Sequence, residues 1–147
     1  MTQTLTLSMA DAIANKALET GREKKFQPLT VAVLDAGGHL KVLKREDDSS
    51  LLRPEIAMGK AWGVLGMGFG GRELARRAAK MPAFFNAASD LAGGLMVPVP
   101  GGVLIRSKDG RIIGSVGVTG DLSENDELCA VAGIESVGLV ADTGGVE

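Results

Sequence analysis

Thr30-Val31-Ala32-Val33-Leu34-Asp35-Ala36-Gly37-Gly38-His39-Leu40-Lys41-Val42-Leu43-Lys44-Arg45 is the stretch from which the fold can be read. Thr30–Leu34 is β-branched and apolar, as a buried strand is. Asp35-Ala36-Gly37-Gly38 follows, and Asp and Gly tolerate the backbone angles of a tight reversal. His39–Arg45 then predicts a second strand, so the whole stretch reads as a β-hairpin.

A second hairpin signal lies downstream. Val103–Arg106 and Arg111–Thr119 flank Lys108-Asp109-Gly110, a strong turn sequence. Met96–Val99 reads as an edge strand, because its prolines cannot donate to a ladder. Helices fill the rest. Ser8 is the expected cap of the first, whose apolar side is Ala10, Ile13, Ala14, Ala17 and Leu18. Pro54 suits the first turn of the next, with Ile56, Ala57, Lys60, Ala61, Val64 and Leu65 along one side. The glycines Gly66–Gly71 should break it, Glu73–Lys80 restarts as a short helix, and Ala83–Asp90 adds a turn or two. Ser123 is the expected cap of the last helix, and Ala141–Glu147 reads as a loose tail. Strands that cluster through hairpins favour an antiparallel sheet with helices packed on it, an α+β fold.

Composition bounds the function. At 147 residues the chain suits a single domain, residues 1–147. A net charge of −2 and 3% aromatics argue against a nucleic-acid partner, which needs basic surface and stacking rings. No apolar run approaches a membrane span. Met1–Thr6 has no charged segment leading into an apolar one, and Cys129 is the single cysteine. Both point to a cytoplasmic protein. With one His and one Cys, no structural zinc site is expected.

Catalytic signatures are missing. Gly66-Met67-Gly68-Phe69-Gly70-Gly71 spells a dinucleotide fingerprint, but it follows a predicted helix rather than a strand, so the required context is absent. The candidate residues are therefore individual ones. His39 opens a strand at a hairpin rim, where it can ligate haem iron, transfer a proton, or simply sit at the surface. Lys60 is a cation in an apolar stripe; it either snorkels to water or serves a pocket as an anion holder or base. Arg53 and Glu55 flank a helix start, which suits an anion or a solvated surface pair. Arg72, Arg76, Arg77 and Lys80 form a basic cluster able to meet carboxylates. Asp126 and Glu127 occupy the first turn of the last helix, where acids are favoured anyway.

Four blocks in order resemble the GlcG/HbpS-like family. Val31–Leu40 is similar to its V-A-V-x-D-x-x-G-x-L hairpin, and Ile56-Ala57-Met58-Gly59-Lys60-Ala61 to its I-A-x-x-K-A helix. Pro100-Gly101-Gly102 followed by Gly110–Gly120 resembles its P-G-G … G-x-x-I-G-x-I-G-V-S-G segment. Asn125-Asp126-Glu127 resembles the Q-D-E that opens its last helix. The resemblance implies a profilin-like fold, a five-stranded antiparallel sheet flanked by helices, and a homo-oligomer from dimer to octamer. It implies a small-molecule ligand, haem or another tetrapyrrole, as in the family's haem-binding sensors, the C-terminal domain of PduO-type proteins and accessory proteins of catabolic operons. On that reading His39, Arg53, Arg72, Arg76, Gly101 and Gly102 are the ligand-binding residues. The alternative is a cofactor-independent isomerase, hydratase, lyase or hydrolase acting on a small carboxylate or keto/enol intermediate. Its catalytic groups would be Lys60, Glu55 and Asp126. A purely structural role is the third expectation.

Overall fold

The computed structural model describes residues 3–145. The elements run α1 (Leu7–Glu23), β1 (Thr30–Asp35), β2 (Leu40–Arg45), α2 (Arg53–Met67), α3 (Gly71–Lys80), α4 (Pro82–Leu91), β3 (Gly102–Arg106), β4 (Ile112–Thr119), α5 (Ser123–Ser136) and β5 (Val140–Asp142). The strands form one antiparallel sheet in the order β2-β1-β4-β3-β5. The five-stranded α+β expectation therefore holds. No helix of the described residues is long and apolar enough to cross a membrane.

Two layers of helix cover the sheet. On one face, Ile13 and Ala17 of α1 and Ala130 and Ile134 of α5 pack on Val31, Val33, Val103, Ile105, Val116 and Val118. On the other face α2 lies almost against the sheet backbone. A Cβ at Gly117 would stand 2.0 Å from the Ala57 carbonyl oxygen, so only glycine permits that approach. Ser115 Oγ donates to the Ala61 carbonyl at 2.7 Å and satisfies its own polarity inside this contact.

Five expectations change, the cap of the last helix among them: Leu122, not Ser123, holds the cap position of α5, and it makes no side-chain capping bond. Thr6, not Ser8, caps α1: its side chain accepts from the Met9 amide at 3.1 Å. The helix begins two residues earlier than expected. The segment 96–99 is not a strand; the Val97 amide donates instead to the Gly59 carbonyl of α2 at 3.2 Å. The edge position is taken by β5, inside the stretch read as a loose tail, where Asp142 pairs with Arg106 of β3 at 2.9 Å. Finally α4 is a full helix of ten residues. Gly68, at φ +77°, ends α2 by donating to the Val64 carbonyl at 2.8 Å, a left-handed cap that needs no side chain.

Candidate functional site

The strand order places the β1–β2 turn and the start of β4 at the same end of the sheet. A surface cleft of ≈ 570 Å³ opens there, lined by residues 3–5, 35–37, 39, 41 and 111–113. That volume is in the usual range for a small-molecule site. Its titratable or charged side chains are Asp35, His39, Lys41 and Arg111.

Asp35 organises the turn. Its Oδ1 accepts from the backbone amides of Gly37 and His39, each at 3.0 Å. The same oxygen lies 3.3 Å from His39 Nδ1. Burial alone would raise the Asp35 pKa, but the two amides and the imidazole outweigh it and hold the carboxyl below its ordinary value. His39 remains 83% exposed. With Nδ1 facing a carboxylate, Nε2 is the ring nitrogen left for a ligand, the arrangement that sets the tautomer of metal-bound histidines. Lys41 is exposed and, among the described residues, unpaired with any acid. Arg111 is held loosely by Asp109 at 3.3 Å.

Lys60 and Asp126 come together elsewhere, in the interior. Lys60 Nζ donates to Asp126 Oδ2 at 3.1 Å and to the Val118 carbonyl at 2.9 Å. The side chains are only 4% and 1% exposed. Asp126 Oδ1 accepts from the Asp121 amide at 2.9 Å. Burial drives Lys60 below and Asp126 above their ordinary values, and each group opposes the shift of the other. Gly101, at φ +113°, lies so close that a Cβ there would meet Lys60 Nζ at 2.8 Å. Gly101 and Gly102 thus serve as the close wall of this buried pair. Glu55 is exposed and makes no side-chain hydrogen bond among the described residues.

The three arginines of the basic cluster are occupied within the chain. Arg72 Nε pairs with Glu127 Oε2 at 2.8 Å. Arg76 and Arg77 both bind Glu73, and Arg77 lies 4.1 Å over the Phe69 ring. Arg53 Nη1 donates to Thr119 Oγ1 at 2.7 Å.

Asp35, Lys41 and Arg111 were not singled out in the sequence. Asp35 reads as a turn former, and its second role is visible only as the spacing to His39. Lys41 falls at the register shift that opens β2, where Val33 pairs with Val42 and Leu34 with Leu40, so simple strand alternation does not place it. Arg111 has no local signal, because the sheet pairing alone brings it near.

The family described as haem degrading protein HbpS-like matches residues 5–135. An uncharacterized 15.0 kDa protein of the dhaT-dhaS intergenic region of Citrobacter freundii is 29% identical over 127 residues, 86% of this chain and 84% of that protein. The corrinoid adenosyltransferase PduO of Salmonella typhimurium is 30% identical over 112 residues, 76% of this chain. The chain spans only 33% of PduO. Among solved structures, the PduOC:heme complex has a TM-score of 0.82 at 25% identity, covering 93% of this chain and 97% of that one. HbpS has a TM-score of 0.80 at 28% identity, covering 94% and 93%.

Proposed function

The chain belongs to the HbpS-like family, and from that premise we propose that it binds haem in the cleft at the β1–β2 turn, with His39 as the iron ligand. The observation that carries this reading is the exposed His39 held by Asp35 at the mouth of a ≈ 570 Å³ cleft. The residues present suit the group. An imidazole with a carboxylate behind it is a good iron ligand. Lys41 and Arg111 are cations able to pair with the two propionates, and Leu5, Ile112 and Ile113 add apolar wall. Bound haem would supply an iron centre for redox or small-ligand chemistry. The protein's own part is to orient the imidazole through Asp35 and to neutralise the carboxylates.

The solved haem complex of a relative with the same fold supports this reading. The acid–base alternative finds no comparable support: Lys60 and Asp126 are buried against each other, and Glu55 lies apart in solvent. The homo-oligomer belongs to the same proposal, and the exposed Met81, between α3 and α4, with Phe84 and Leu91 of α4, suits a surface covered by another copy.

A hemin titration followed in the Soret region tests the proposal. Saturation at one haem per chain, weakened about tenfold or more in His39→Ala through loss of the iron bond, is expected. No Soret change, or the same binding in His39→Ala, refutes it.

A further inference from the structure

β1 begins on a polar side chain without a partner. Thr30 has no accessible surface, and its Oγ1 is, among the described residues, the one buried side-chain polar atom lacking a hydrogen bond. Burying such a hydroxyl is costly, so what surrounds it is informative. In the sheet Thr30 stands opposite Thr119 on β4 and opposite Arg45 on β2. Directly opposed residues of antiparallel strands share a face, so all three lie on the side covered by α2.

Both neighbours lead to a guanidinium. Arg53 donates through Nη1 to Thr119 Oγ1 at 2.7 Å and through Nε to Ser50 Oγ at 3.2 Å. Those two bonds fix the fork and leave the Nη2 hydrogens for another acceptor. Arg45 donates to the Ser49 carbonyl. Six of the eight arginines have an acidic partner: Arg22, Arg72, Arg76, Arg77, Arg106 and Arg111. Among the described residues Arg45 and Arg53 have none; Arg45 stands opposite Thr30 on one side, and Arg53 holds the hydroxyl of Thr119, which stands opposite it on the other. Arg53 is also the first residue of α2, a helix of 15 residues whose start has no side-chain cap. Helix starts favour negative charge.

We propose that this end of the sheet is an oxyanion site, taking a carboxylate or phosphate group between Arg53 and the Thr30 hydroxyl. Arg53 carries the larger share, since Arg45 also faces a cleft lined by Glu46, Asp47 and Asp48. The site is separate from the haem cleft: Thr30 and Asp35 are the two ends of β1, roughly 17 Å apart at the rise of a strand.

Amide-proton NMR of the full chain, titrated with inorganic phosphate and separately with acetate at constant ionic strength, tests it. Saturable shifts centred on Thr30, Arg53 and Thr119 are expected. Arg53→Gln should weaken binding about tenfold by removing charge-assisted hydrogen bonds. Thr30→Val, which keeps the shape and removes the hydroxyl, should weaken it severalfold and leave the fold intact. The ratio of phosphate to acetate affinity identifies the preferred oxyanion. His39→Ala should leave both titrations unchanged, which separates this site from haem binding. Shifts that never saturate, or wild-type binding in Thr30→Val and Arg53→Gln, overturn the proposal.

Discussion

Replacing Lys60 by Met strands a buried carboxylate. Asp126 is 1% exposed at its side chain and loses the ammonium 3.1 Å away, and the Val118 carbonyl loses a donor at 2.9 Å. Breaking a buried ion pair from one side costs about 3–5 kcal/mol. For a chain of this length that is a fall of roughly 6–20 °C in Tm. The pH response gives a sharper reading. In Lys60→Met, the folded-state pKa of Asp126 lies above its unfolded value, because burial raises it and Lys60 no longer opposes. The folded state then binds the proton more tightly, so stability rises as pH falls through that pKa. Asp126→Asn does the reverse. Lys60, already lowered by burial, is lowered further, so stability rises as pH climbs through its folded pKa. The double variant Lys60→Met/Asp126→Leu carries neither charge and should be more stable than either single one. Urea unfolding at pH 5, 7 and 9, at one fixed protomer concentration, measures all four proteins. Single variants within about 1 kcal/mol of wild type at pH 7 would refute this account of the pair. So would pH slopes of the same sign in both.

Gly117→Ala should cost about 3 kcal/mol or more in urea unfolding, because its Cβ would fall 2.0 Å from the Ala57 carbonyl oxygen and α2 must move off the sheet. The Cys129 thiol, pushed up to about 12 by burial and then by Asp126 and Asp121, should resist a thiol reagent at pH 8 until the protein is unfolded. Asp35 has a folded pKa below its ordinary 3.8. Its contribution is complete above that value and lost as pH falls through the folded pKa, so Asp35→Asn should flatten the acid limb of the stability curve. Trp62 should be quenched by bound haem, since its Nε1 lies 3.1 Å from where a Cβ of Gly38 would be, beside the His39 turn; unchanged emission at saturation would contradict the placement.

The hairpin at Thr30–Arg45 was legible because strand residues and turn residues alternate without conflict there. His39 was legible as a rim residue for the same reason. Lys60 was visible as an anomaly in an apolar stripe. Its partner was not, because Asp126 is 66 positions away and has a sufficient local explanation at a helix start. Arg72 and Arg76 looked available because their acids, Glu127 and Glu73, fall on another helix or an adjoining turn. The last strand was misplaced for a physical reason. Met96–Val99 has the apolar look of an edge, but its amide is spent on α2. The short β5 earns its place through pairing with β3, which no local pattern in Val140–Asp142 announces.

The most direct test of haem binding at the β1–β2 turn is where ferric haem broadens the amide resonances of the labelled protein. The account predicts paramagnetic broadening centred on residues 35–41 and 111–113, absent in His39→Ala, with Thr30 at the far end of β1 less affected. Broadening centred on α4 or on α3, or the same pattern in His39→Ala, would contradict it.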